Sequence, residues 1–167
     1  QAVWPLMRQQ KYGKIIFISS AAGLYGNVGQ ANYGAMKMAM VGLMNTLALE
    51  GRKYNIHVNV VAPLAWTRML QSSGKIPPMI ASKLTPASIA PMMIYLTHES
   101  CSITGDIYEI GGGFVSRAAI QRSQGYVFSN PNTLTPEDIA KNIHSISSMT
   151  NGRYPEHIME AMQDVFQ

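Results

Sequence analysis

One cysteine, Cys101, stands in 167 residues, so no disulfide can close within the chain, and a reducing compartment is the natural reading. The four histidines, His57, His98, His144 and His157, lie too far apart in sequence to make a zinc-ligand spacing with it, and no metal site is expected. Charge is scarce as well, at 13% of the residues, with 13 Lys and Arg against 9 Asp and Glu. The resulting charge of +4 is scattered or held in short pairs such as Arg52-Lys53, without the basic stripe that nucleic-acid binding uses. An anionic cofactor or substrate suits so mild an excess better. No run of about eighteen apolar residues is present to span a membrane. The first residues lack the basic and apolar regions of a signal peptide. A soluble intracellular protein is therefore expected. The chain opens on Gln1 rather than Met, which reads as a piece of a longer chain. A Gly-x-x-x-Gly-x-Gly phosphate turn is also absent, and the run Gly111 to Gly113 reads as a turn at the end of a strand.

What is present is material for one core, with 47% hydrophobic residues. Lys14-Ile-Ile-Phe-Ile-Ser-Ser20 and Ile56-His-Val-Asn-Val-Val-Ala62 are short, continuous, β-branched runs, as expected of parallel strands covered on both faces. Residues 32–54 between them lack proline and are rich in Ala, Met and Leu, which favours a long helix and so a βαβ unit with a right-handed crossover. Thr85-Pro86 has the form of a helix start, with a helical pattern to Leu96 that Pro91 should kink. Residues 105–110 read as a third strand. Beyond Gly113 the texture turns to polar turns, then to a helix over 136–147 opened by Thr135-Pro136-Glu137-Asp138. A last amphipathic segment from Pro155 places Ile158, Met159, Met162, Val165 and Phe166 on one side. The expected organisation is α/β, with residues 1–116 as the sheet-bearing part and 117–167 as a helical appendage.

Tyr33 and Lys37 stand four apart at the start of the long helix, so their side chains share one face, one turn apart. Ser20 ends the first strand, at the carboxyl edge where doubly wound sheets take their ligands. Three polar groups can then converge on one carbonyl oxygen. A tyrosine with its free pKa of about 10 is a poor base at neutral pH, and an adjacent ammonium favours the phenolate, so Lys37 reads as the tuner of Tyr33. Tyr33 would exchange a proton with the substrate oxygen, Ser20 would hydrogen-bond that oxygen, and a cofactor would carry the hydride.

Ser20 followed by Tyr33-Gly-Ala-Met-Lys37 resembles the serine and Tyr-x-x-x-Lys signature of short-chain dehydrogenases and reductases. Four segments are similar to one branch of that family, the (3R)-hydroxyacyl-CoA dehydrogenase units of the type 2 multifunctional enzymes of peroxisomal fatty-acid β-oxidation. They are Ser19-Ser-Ala-Ala-Gly-Leu-Tyr-Gly-Asn-Val-Gly-Gln-Ala-Asn-Tyr33, Leu49-Glu-Gly-Arg-Lys53, Asn55-Ile-His57 and His98-Glu-Ser-Cys101. The likeness runs on through Gln121-Arg-Ser-Gln-Gly125 and Leu134-Thr-Pro136. The resemblance implies a partial Rossmann-like doubly wound sheet. It implies NAD-dependent oxidation of a fatty (3R)-hydroxyacyl-CoA to the 3-oxoacyl-CoA, with Ser20, Tyr33 and Lys37 catalytic and with Tyr33, Lys37, Pro63 and Thr67 at the cofactor. It also implies a peroxisomal location, against a cytoplasmic one without it, and a homo-oligomer packed through the long helix.

Two departures from the family stand out. Its N-terminal half, with the glycine-rich turn, the ribose-binding acid and a fourth catalytic position, has no counterpart in these residues. NAD is therefore not separated from NADP by sequence, and the residues alone are expected neither to bind the cofactor tightly nor to turn over. Pro63-Leu-Ala-Trp-Thr67 stands where the wider family has Pro-Gly and a threonine slightly later. The rival readings are another short-chain dehydrogenase, such as a 3-oxoacyl carrier-protein reductase, and a truncated assembly module without catalysis. Cys101 reads as a small buried residue, His57 as structural, and the methionines of residues 36–44 as core or subunit packing. Tyr25 either lines the substrate mouth or covers the core.

Overall fold

A computed structural model describes residues 2–68 and 77–165, and the chain forms two compact units that divide after Ala118. The first unit carries α1 (Trp4–Gln10), β1 (Gly13–Ile18), α2 (Ala21–Tyr25), α3 (Ala31–Gly51), β2 (Ile56–Pro63), α4 (Pro78–Ala81), α5 (Ala90–Thr97), β3 (Ile107–Gly111) and β4 (Phe114–Ala118). Among the described residues no helix is long and apolar enough to cross a membrane.

The sheet has the order β1-β2-β3-β4. The first two pairings are parallel, with Ile15 against Val58 and Val61 against Tyr108, which is the α/β arrangement the two β-branched runs predict. β2 lies inside the sheet, and side chains alternate between its faces. On one face Val58 and Val60 pack under Val41, Met44 and Ala48 of α3. On the other, Val61 joins Leu96, Cys101 and Ile110. Burial on both sides is why this strand reads as an unbroken apolar run. Asn59, polar but buried, is hydrogen-bonded at both ends of its amide: the nitrogen donates to the Ile103 carbonyl and the oxygen accepts from the Asp106 N–H.

β4 departs from the expected polar turns. It returns antiparallel to β3, with Glu109 against Ser116, through a two-residue turn at Gly112 and Gly113. Both have positive φ, 58° and 85°, the pair of values a tight hairpin needs and glycine supplies without strain. Pro91 also behaves differently from the kink expected. Residues 86–89 form a short 3₁₀ turn and α5 starts afresh at Ala90, so Pro91 sits in a first turn, where its missing N–H leaves no bond unmade.

The second unit contains α6 (Pro136–Ser147) and α7 (Ile158–Met162). α6 starts as its sequence predicts: the Thr135 hydroxyl accepts from the Asp138 N–H at 3.2 Å while the Asp138 carboxylate accepts from the Thr135 N–H at 3.1 Å. The terminal stripe does not close a core. Ile158, Met159 and Val165 are exposed, because α7 is only five residues long before a 3₁₀ turn, and Phe166 lies outside the described residues. Near the start of the unit, Arg122 and Arg153 exchange backbone hydrogen bonds of 2.9 and 2.8 Å.

Candidate active site

β1 hands the chain to the candidate site in two steps. The ladder with β2 continues one residue past the strand, where the Ser19 N–H donates to the Val61 carbonyl at 2.8 Å. Ser20 then turns, with extended φ and ψ, and caps α2: its hydroxyl oxygen accepts from the Ala22 N–H at 3.3 Å and its carbonyl accepts from Gly23 and Leu24. The cap fixes the Ser20 side chain at the carboxyl edge of the sheet. Its O–H hydrogen is still available to donate.

Tyr33 and Lys37 occupy the first two turns of α3, both half-buried. The Lys37 ammonium lies 5.6 Å from the centre of the Tyr33 ring and donates to the Ile18 carbonyl at 3.0 Å. A second bond runs the other way, from the buried Ser19 hydroxyl to the Lys37 carbonyl at 2.8 Å. The strand end and the helix are thus laced together at Lys37, which sets the height of Tyr33 above the sheet. This role of Ser19 is not visible in sequence, where it is one of two adjacent serines. Its near-complete burial is the signal.

Two glycines let α2 approach α3. A Cβ on Gly23 would lie 2.7 Å from the Lys37 Cβ, and one on Gly34 would lie 3.0 Å from the Ala22 carbonyl oxygen. Gly34, between Tyr33 and the rest of α3, therefore has a packing reason for its place. Tyr25, at the end of α2, reaches across to β3 and donates its hydroxyl to the Glu109 carboxylate at 2.5 Å. That bond, with smaller effects of burial and charge from Glu109, raises the Tyr25 pKa above its usual 10.0. Tyr25 is exposed at this edge rather than packed on the core.

Pro63 ends β2 beside Ile110, and the chain beyond it is held by the Leu64 N–H on the Ile110 carbonyl and the Trp66 N–H on the Leu84 carbonyl. Thr67 follows, exposed, with its N–H on the Ala65 carbonyl at 2.9 Å. Because β1 and β2 run parallel, Thr67 emerges from the same edge as Ser20. The opposite end of the sheet holds a different cluster. There the Lys14 ammonium bonds His57 Nδ1 at 2.8 Å and donates to the Cys101 carbonyl. Burial, and then the Lys14 charge, push the His57 pKa below its usual 6.5. His57 is tied into the sheet and Cys101 is buried under α5, far along the strands from Tyr33.

The match with known proteins follows this geometry. Residues 1–75 match the short chain dehydrogenase family model. The chain is similar to the peroxisomal multifunctional enzyme A of Dictyostelium discoideum, 46% identical over 99% of this chain and 36% of that protein. It is 51% identical to the peroxisomal hydratase-dehydrogenase-epimerase of Saccharomyces cerevisiae over 83% of this chain and 15% of that one. Its fold superposes on the full-length peroxisomal multifunctional enzyme type 2 of Drosophila melanogaster with a TM-score of 0.87 and 35% identity, covering 99% of this chain and 30% of the other. The chain thus spans little more than a third of the length of these relatives, or less.

Proposed function

Because the chain belongs to the short-chain dehydrogenase family, we propose that it oxidises a (3R)-hydroxyacyl-CoA to the 3-oxoacyl-CoA with NAD, as the dehydrogenase portion of a peroxisomal multifunctional enzyme. The observation that carries this reading is Lys37: one ammonium placed 5.6 Å from the Tyr33 ring and pinned to the strand end that presents Ser20.

In this reading the Tyr33 oxygen exchanges a proton with the substrate's 3-hydroxyl, and the positive charge of Lys37 stabilises negative charge on the Tyr33 oxygen as the proton moves. The Ser20 hydroxyl donates to the same substrate oxygen, holding it while its C–O bond gains double-bond character. Ser19, Gly23 and Gly34 hold these groups in register without touching the substrate. Tyr25, exposed beside them, borders the entry for the acyl chain.

The residues at the edge fit a nicotinamide dinucleotide. The Lys37 ammonium has three donors, of which the bond to Ile18 uses one, and the exposed Thr67 hydroxyl beyond Pro63 is of the kind that a carboxamide accepts from. Tyr33, Lys37, Pro63 and Thr67 would hold it. When bound, it supplies the acceptor for the hydride that leaves C3. The peroxisomal names of the relatives support the same location for this chain.

The reading extends to a homo-oligomer. Val41, Met44 and Ala48 bury one side of α3, while Met36, Leu43 and Leu49 on the same helix remain exposed and offer apolar surface that a second copy of the helix would cover. Sedimentation of the complete protein should give a dimer or larger species at micromolar concentration, and a strict monomer would remove this part.

Turnover is the test of the whole. The complete protein given NAD and a matched pair of (3R)- and (3S)-hydroxyacyl-CoA should reduce NAD with the (3R) isomer alone. No reduction with either, or faster turnover of the acyl chain on carrier protein, would overturn the assignment.

A further inference from the structure

The second unit contains a cleft of about 720 Å³ built from the segment around Tyr126 and the segment around Arg153. None of the candidate catalytic residues lines it. Its walls are organised more than a chance surface hollow needs. Arg122 and Arg153 both donate to the single carboxylate of Asp164, and Arg122 also donates to the Ala161 carbonyl. Of these three groups Arg153 and Asp164 line the cleft, so one guanidinium, held in place by its carboxylate partner, faces it. The Arg153 side that faces the cleft is kept there by the paired backbone bonds with Arg122. Gly152 makes this closeness possible: a Cβ there would lie 2.6 Å from the Gln121 amide nitrogen and 3.0 Å from the Arg122 carbonyl oxygen.

Across the cleft the Tyr126 ring is 48% exposed and is braced by Phe128, edge to face, with ring centres 4.8 Å apart and planes at 62°. Gly125 before it has φ of 78°, which opens the backbone at that wall. Gln124 and Asn151, both amide-bearing residues, complete the polar lining. A braced aromatic face stacks a flat heterocycle, amides pair with its donor and acceptor edges, and a fixed guanidinium takes a phosphate bidentately. The cleft is open to solvent and is larger than an inorganic phosphate requires.

We propose that this cleft binds a phosphorylated nucleoside, with the base on Tyr126 and a phosphate on Arg153. Two sources carry that chemistry. One is the phosphoadenosine portion of the acyl-CoA substrate, which rests on the function proposed above. The other is a free nucleotide, which does not.

Adenosine 3′,5′-bisphosphate titrated calorimetrically into the complete protein, with NADH in saturating excess to fill the dinucleotide cleft, reads the site directly. Binding should weaken about tenfold or more in Tyr126→Ala and in Arg153→Gln, the loss of one stacked base or one charge-assisted contact. Tyr126→Phe should restore it, since the ring is kept. Absence of binding overturns the proposal, and so does an affinity that Tyr126→Ala leaves unchanged. KM then separates the sources. A rise in the Tyr126→Ala variant for hydroxyacyl-CoA but not for the same acyl group on pantetheine assigns the cleft to the substrate. An equal KM for both assigns it to a free nucleotide. Failure of turnover with either thioester would defeat the proposed function and leave the titration standing.

Discussion

The two units of this chain are held together by different forces. In the first, β2 is sandwiched between α3 on one face and Leu96, Cys101 and Ile110 on the other. Its polar site is laid on that apolar body by a few bonds at the strand ends. In the second, none of the described residues is buried, and what fixes the chain is polar: the reciprocal Thr135 and Asp138 cap, the shared Asp164 carboxylate, and the Arg122 to Arg153 backbone pair. The contrast separates two ways of placing a functional group. A rigid core lets one helix carry Tyr33 and Lys37 at a fixed height, whereas a thin unit must spend its charges on holding its own walls.

The largest test of the first half of that contrast is Tyr33→Phe. It removes one hydroxyl and keeps the ring that packs at the α3 start. Turnover by the complete protein should fall by ~10²- to 10⁴-fold, the usual contribution of a positioned acid or base, with the unfolding temperature unchanged. Retention of more than about a tenth of the rate would remove Tyr33 from its role.

Next in size is the core. Met44 is completely buried between α3 and the sheet. Met44→Ala should destabilise the first unit by about 2–5 kcal/mol, as cavity-forming truncations do. Hydrogen exchange resolved by segment should accelerate in α3 and β2 and leave α6 at its original rate. Equal acceleration in both would mean that the units unfold as one.

Much of this division is legible in the sequence, and the failures have physical causes. β2 and α3 are readable because β2 is an unbroken apolar run buried on both faces and α3 is long and free of proline. The Tyr33 and Lys37 pair is readable because spacing of four on a helix is a local property. The hairpin to β4 is hidden because Gly112-Gly113 looks like an ending, and only positive φ at both residues turns it into a two-residue return. Ser19, Gly23 and Gly34 are hidden for another reason: their roles consist of contacts between α2, α3 and β1 that exist only after packing. The cleft of the second unit is likewise invisible, since it joins residues some thirty positions apart.

A smaller effect tests the polar half. Thr135→Ala removes one arm of the cap on α6, whose hydroxyl accepts the Asp138 N–H. The expected cost is about 1 kcal/mol, confined to the second unit. Faster exchange of amides in the first turn of α6, with α3 unaffected, is the expected pattern. Equal protection in the variant and the parent would show that the cap contributes nothing.

The smallest expected effect separates the units by pH. In the second unit the Arg153 guanidinium, and less strongly Arg122, hold the Asp164 carboxyl below its usual 3.8. A depressed carboxyl pKa gives stability that is present above the unfolded value and lost as pH falls through the folded one. That unit should therefore keep its strength down to about pH 4. In the first unit His57 is the sensitive group, its pKa pushed below 6.5 by burial and by Lys14. Here the unfolded chain takes up the proton first, so stability begins to fall as pH drops below about 6.5 and stops falling only under the folded pKa. Lys14 supplies the facing charge, and the Cys101 carbonyl binds that ammonium in turn. Between about pH 7.5 and 5.5, then, the protection of β1 and β2 amides relative to their intrinsic exchange rates at each pH should fall, while that of α6 holds steady. His57→Gln, which keeps a polar side chain but cannot titrate, should flatten the response of the sheet. A sheet that stays equally protected across that range in the parent protein would remove His57 as the cause, and a parallel loss in α6 would erase the distinction between the two units.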